Sequence, residues 1–258
     1  MSSIAELFKT QHKKILNVYC TAGFPKLDST LAVMKSLQQN GADIIELGMP
    51  YSDPLADGEV IQQSGAVALK NGMTLVTLFD QLKDFRKDIH VPVILMGYMN
   101  QVLQYGFEDF CKTAAEIGID GLILPDLPPH EFESEYSAIL KKYGLDFIFL
   151  VTPETPEDRI RKLDALSSGF LYAVSSSSTT GHEKDFKEVE KYLQRLQAYK
   201  LSNPILVGFG IKDHSSFTSA AKYSAGAIIG SAYIKTIEQA PDLEAATAIF
   251  LKAVLQPA

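Results

Sequence analysis

Ile45-Glu46-Leu47-Gly48-Met49-Pro50-Tyr51-Ser52-Asp53-Pro54-Leu55-Ala56-Asp57-Gly58 runs an apolar strand directly into a turn-rich loop, and a helix-like stretch, Val60-Ile61-Gln62-Gln63, follows. That strand, loop and helix form one βα unit, and the same alternation recurs along the chain. Eight short apolar runs rich in β-branched residues are separated by longer helix-patterned segments: 15–19, 44–47, 93–96, 121–124, 147–150, 170–174, 205–208 and 226–229. Strands this uniformly apolar are those of a parallel sheet covered by helices.

Helix starts are legible at Asp28-Ser29, before Leu31, and at Thr155-Pro156-Glu157-Asp158, read as N-cap, first-turn proline and acidic first turn. Segments 107–117, 131–142 and 184–196 continue the helical pattern, and Met1 to Thr10 reads as a short extra N-terminal amphipathic helix. No Pro/Gly/Ser-rich linker divides the chain, so one domain over residues 1–258 is expected.

Eight βα units allow a closed (β/α)8 barrel, the TIM-barrel architecture, or an open doubly wound sheet. The barrel is favoured, because neither Gly-x-Gly-x-x-Gly after the first strand nor Gly-x-x-x-x-Gly-Lys-Ser/Thr is present. Working groups in such a barrel stand at the C-terminal ends of the strands.

The bulk numbers narrow the function. A net charge of -7 argues against nucleic acid, and no apolar stretch reaches the ~18 residues that suggest a membrane span. Cys20 and Cys111 form neither a disulfide framework nor a zinc motif, and the amino terminus lacks signal-peptide features, so a reducing cytoplasm is expected. The five histidines have no ligand spacing, and no metal site is expected.

Glu46 lies within an apolar run, two positions from Ile44 and on the same face. A carboxylate there is either fixed by an internal Lys or Arg, or stands at a pocket mouth where a raised pKa suits proton transfer. Asp57 and Asp53 each fit a turn or helix N-cap equally well. Asp57 could alternatively supply a second acid-base group. Glycine-bearing turns follow the last three strands, Ser178-Thr179-Thr180-Gly181, Gly208-Phe209-Gly210-Ile211 and Gly230-Ser231-Ala232, where barrels often bind phosphate. Tyr98, Tyr172 and Phe209 either line an aromatic-sized pocket or pack the core.

The loop 46–58, together with Met96-Gly97-Tyr98-Met99-Asn100, Leu124-Pro125-Asp126-Leu127-Pro128, Gly208-Phe209-Gly210-Ile211 and Gly230-Ser231-Ala232, resembles the tryptophan synthase alpha-subunit family over nearly the whole chain. Two positions depart from it. Glu59 stands where the family usually has Pro, and the loop after the sixth strand reads Ser175-Ser176-Ser177-Ser178-Thr179-Thr180-Gly181 rather than ending Gly-Val-Thr-Gly.

The resemblance implies a barrel that cleaves indole-3-glycerol phosphate into indole and glyceraldehyde 3-phosphate. Glu46 would be the proton shuttle and Asp57 the partner of the indole nitrogen, with Tyr19, Tyr98, Tyr172 and Phe209 around the substrate. Gly181, Gly210, Gly230 and Ser231 would hold the phosphate, and Pro50, Asp53, Asp126 and Thr180 would serve loop closure and the partner. No cofactor is implied on this chain. Pyridoxal phosphate is expected on a beta subunit within an alpha2beta2 tetramer. A stand-alone indole-producing lyase and a silent, activating barrel are the alternatives. A Schiff-base aldolase would want an inward lysine, and none of the eight runs contains one.

Overall fold

The computed structural model describes residues 2–11, 14–174, 183–208 and 210–257. Its strands are β1 (Ile15–Thr21), β2 (Ile44–Gly48), β3 (Val93–Met96), β4 (Gly121–Ile123), β5 (Asp146–Phe147), β6 (Leu150–Val151), β7 (Leu171–Val174), β8 (Ile205–Gly208) and β9 (Gly226–Ile229), all paired in parallel. The hydrogen-bonded order is β5-β4-β3-β2-β1-β9-β8-β7-β6.

The fifth apolar run, expected as one strand, is two. Its lower half pairs with β4 and its upper half with β7, and only Ile148 and Phe149 lie between. Even these stay in the ladder, since Ile148 N donates to Leu122 O and Phe149 O accepts from Tyr172 N, both at 3.0 Å. The two ends of the strand order are thus halves of one segment, and the sheet closes into a (β/α)8 barrel. Staggered pairing of this kind follows from strand tilt in a closed sheet, where neighbours on the two sides of one strand meet it at different heights.

Alternation along the strands divides the apolar residues into two layers. Leu16, Val18, Ile45, Leu47, Val93, Leu95, Leu122 and Val207 face outward into the large core shared with the helices. Ile15, Ile44, Ile94, Ile123, Ile148, Phe170, Leu206 and Ile228 face inward and form a separate cluster that fills the lower barrel.

That inner cluster is completed by the N-terminal helix Ser3–Thr10, whose Ile4 is fully buried and whose Leu7 and Phe8 pack alongside. Ser2 caps it by accepting from Ala5 N at 3.2 Å, and Ser3 Oγ bonds Asp120. Ile4→Ala should cost about 3 kcal/mol, the usual range for truncating a fully buried isoleucine. Urea denaturation would check it; a midpoint unchanged from the parent chain would mean that the helix does not seal the barrel floor.

Helix boundaries differ from expectation in detail. Pro156 is the N-cap of the helix Glu157–Leu166 rather than its first residue, because its ψ of 154° is still extended. The expected helix at 131–142 is three consecutive pieces, Pro129–Glu131, a π-helical turn Phe132–Tyr136, and Ser137–Tyr143. Among the described residues no helix is long and apolar enough to cross a membrane.

Candidate active site

The inward layer above the isoleucines is polar. Tyr19 on β1 stands level with Glu46 on β2, which in turn pairs with Ile94 on β3. Inward glycines make room for the aromatic side chains. A Cβ at Gly48 would lie 2.0 Å from the Tyr19 hydroxyl oxygen, and one at Gly208 would lie 2.6 Å from that of Tyr172. No real Cβ survives such approaches, so small residues at two strand ends are the condition for two buried phenols within the barrel.

Glu46 is 1% exposed, which makes its ionisation costly. Burial first, and the charge of Asp57 in addition, push its carboxyl up from the ordinary 4.5 to about 8, against a hydrogen bond from Asn17 that pulls it down. Among the described residues, no Lys or Arg contributes to these influences, so a carboxylate fixed by an internal cation finds no support there, and a carboxyl raised to about 8 suits proton transfer.

Asp57 is not the N-cap of the helix that follows. Gly58 holds that position, with extended φ and ψ, and the helix Glu59–Lys70 begins one residue later. With Glu59 rather than Pro as its first residue, the helix still forms, its acidic group in the first turn. Asp57 is released for another partner, the Tyr98 hydroxyl. Burial raises its carboxyl to about 6, and the bond from Tyr98 opposes the rise.

The Tyr98 hydroxyl also accepts from Ala56 N at 3.0 Å, so one phenol fixes both the loop backbone and the acid beside it. Tyr51 stacks on Tyr98 with ring centroids 5.3 Å apart, and Asn100 Nδ2 donates to the Tyr51 hydroxyl at 3.0 Å. Ser64, on the helix after Asp57, bonds Thr21 at the end of β1 at 2.7 Å. These contacts tie the loop to β1 and β3, the strands flanking Glu46.

Tyr19 and Tyr172 complete the electrostatic group. Both phenols are raised far from ionisation by burial, and both feel the charges of Glu46 and Asp57. The structure therefore brings together Tyr19, Glu46, Asp57, Tyr98 and Tyr172. Asp126 lies near them, accepting from Met99 N with both oxygens at 3.0 Å and raising the pKa of Tyr98 by its charge. It borders a cavity of about 260 Å3 with Leu124, Ile148, Leu150 and Arg159.

Gly230 stands at the N-cap of the helix Ser231–Glu238, at the C-terminal end of β9. The first turn of that helix leaves N–H groups without helical partners at this strand end, as anion binding there would require. Gly210 has φ of 36°, and none of the described residues comes within 4 Å of where a Cβ would stand. Pro50 O accepts from Gln101, and Asp53 is exposed on the rim, bonded by Ser52. Thr180, Gly181 and Phe209 lie outside the described residues.

Sequence reasoning missed Asn17, Tyr51 and Asn100. Asn17 was detectable in principle, as a lone amide in an apolar strand and on the face that carries Tyr19.

A parallel barrel with a carboxyl raised to about 8, a second acid raised to about 6 and two buried phenols toward the C-terminal strand ends is the arrangement of an enzyme barrel. The chain belongs to the tryptophan synthase alpha chain family, whose model matches residues 5–256. It is 52% identical over 230 residues to the tryptophan synthase alpha chain of Flavobacterium johnsoniae, covering 89% of this chain and 91% of that one. To its counterpart from Phocaeicola vulgatus it is 48% identical over 240 residues, covering 93% of each. The crystal structure of tryptophan synthase subunit alpha from Legionella pneumophila superposes with a TM-score of 0.90 at 35% identity, covering 98% of this chain and 97% of that chain.

Proposed function

We propose that the whole chain acts as one catalytic unit, a carbon–carbon lyase that splits indole-3-glycerol phosphate into indole and glyceraldehyde 3-phosphate. The observation that carries this reading is the coupled pair Glu46 and Asp57, raised to about 8 and about 6, so that near neutral pH one is protonated while the other is ionised. The reaction needs both states at once.

Glu46 gives its proton to indole carbon 3, which removes ring aromaticity and leaves a cation spread to the ring nitrogen. The Asp57 carboxylate accepts the N–H and stabilises that charge. Glu46, now ionised, takes the proton from the neighbouring glycerol hydroxyl. The O–H electrons form the aldehyde C=O, the carbon–carbon bond breaks, and its electrons restore the aromatic ring. Glu46 ends protonated, as it began. Because the indole ring is its own electron sink, these steps call for no cofactor on this chain.

Tyr19, Tyr98, Tyr172 and Phe209 would enclose the ring. Backbone N–H groups at Gly181, Gly210, Gly230 and Ser231 would hold the phosphate, and remote binding energy of that kind orients the reacting bond. Pro50, Asp53, Asp126 and Thr180 would govern closure of the rim against a beta subunit, which carries pyridoxal phosphate and receives the indole in an alpha2beta2 tetramer. Leu55, 95% exposed between Asp53 and Asp57, supports a rim that a partner covers. The setting is the cytoplasm, consistent with two buried free cysteines.

Indole release from indole-3-glycerol phosphate, with and without beta subunit, tests the reading; no cleavage in either case would end it. The same assay run against pH should give a bell. Activity falls below about 6 as Asp57 is protonated and above about 8 as Glu46 loses its proton, the two limbs belonging to the coupled pair. A flat profile across the neutral range would separate these groups from the rate.

A further inference from the structure

Asn17 takes no part in the steps above, yet it is hydrogen-bonded to Glu46. It is fully buried, and its Nδ2 donates to Glu46 Oε2 at 2.9 Å. Its other polar atom, Oδ1, is also buried and has no hydrogen-bond partner among the described residues. An orphan acceptor in a barrel interior is unfavourable and calls for an explanation.

We propose that Asn17 is a positioning residue for the proton-carrying carboxyl, donating through Nδ2 while Glu46 is ionised and turning its amide over to accept through Oδ1 while Glu46 is protonated. The inference rests on the reading of Glu46 as a shuttle, which has to occupy both states within one turnover. A fixed cation in this place would hold the ionised form, and hydrocarbon would hold the acid. A primary amide carries a donor and an acceptor on one flat group, and a half-turn exchanges them with almost no change of shape. The unpaired oxygen is then the half of the amide that serves the other protonation state.

The surroundings leave few competitors. Asn17 stands level with Ile44 on β2 and Ile228 on β9, so the floor beside it is hydrocarbon. Among the described residues, the titratable groups facing Glu46 are Tyr19 on β1, Asp57 on the loop after β2, and Tyr172 on β7, with Cys20 beside Tyr19 on the other face of β1, and β3 presents Ile94 at that level. Burial keeps both phenols and the thiol neutral. Burial is the largest influence against ionisation of Glu46, the charge of Asp57 adds to it, and Asn17 is the group that opposes them.

Difference infrared spectroscopy on the full chain carrying 13C-labelled asparagine, titrated through neutrality without substrate, tests the proposal. One asparagine carbonyl band, absent in Asn17→Leu, should shift in step with the protonated-carboxyl band of Glu46, and in Glu46→Gln no asparagine band should respond to pH. Asn17→Leu should raise the Glu46 midpoint by about one pH unit, the equivalent of one hydrogen bond to a charged group. It should also lower kcat about tenfold, the factor matching that one unit, with KM little changed. An asparagine spectrum that stays still while Glu46 titrates overturns the proposal, and that comparison holds even where Asn17→Leu does not fold. Because no substrate is present, a silent band refutes the role of Asn17 alone, whereas absent indole release refutes the lyase reading and leaves the titration standing.

Discussion

Glu46→Gln is expected to lower indole release about 10³-fold, within the range by which positioned acid-base groups accelerate reactions. The amide keeps the shape and much of the hydrogen-bonding capacity of the acid, but it has no proton to give to carbon 3 and cannot take one from the hydroxyl. KM should change little, because the groups proposed to hold the phosphate and the ring lie elsewhere. The same variant should be more stable than the parent, and the direction follows from linkage. Glu46 holds its proton in the folded chain up to about 8 but releases it near 4.5 when unfolded, so between these values the folded state binds more protons. Stability of the parent therefore declines as pH rises through that window, and glutamine removes the decline. The gap between the two proteins should open on going from acid to mildly alkaline buffer, by on the order of a few kcal/mol. Urea denaturation at the two ends of the window measures it. A variant that keeps its turnover, or a gap that is constant with pH, would show that Glu46 is not the buried proton carrier.

Asp57→Asn should cost about 10²-fold in kcat, comparable to removing one preorganised group that faces developing charge. An asparagine can still meet the indole N–H with its carbonyl oxygen, but it offers no negative charge to the cation formed on protonation. Its effect on the pH profile distinguishes it from Glu46→Gln: the acid limb disappears and the alkaline limb remains. That alkaline limb should move to lower pH, because the charge of Asp57 is one of the influences raising Glu46. Steady-state rates across pH decide the matter. An intact acid limb in Asp57→Asn would assign it to another group.

Much of this site was legible from residue order. The barrel followed from eight apolar runs spaced by helical patterns, and the position of Glu46 followed from one charge in an apolar strand at a βα junction. The division of the fifth strand was not legible, because nothing in Phe147-Ile148-Phe149-Leu150 says that its two neighbours meet it at different heights. Nor could residue order decide whether Asp57 is an N-cap; that depended on Gly58 taking the cap and on the Tyr98 hydroxyl arriving from the end of another strand. Asn17 was visible but mute, since its meaning depends on register, and register places it against Glu46 only once β1 and β2 are paired. The glycine turn at Gly208 reads from sequence as a candidate phosphate site, whereas in the fold Gly48 and Gly208 serve as space for tyrosine hydroxyls.

The N-terminal helix over the isoleucine layer makes this barrel a cup rather than a pipe. With Ile4, Leu7 and Phe8 corking the base, a small molecule passes through the floor only by displacing the helix, so clipping that helix away should open a back route for solvent into the isoleucine layer.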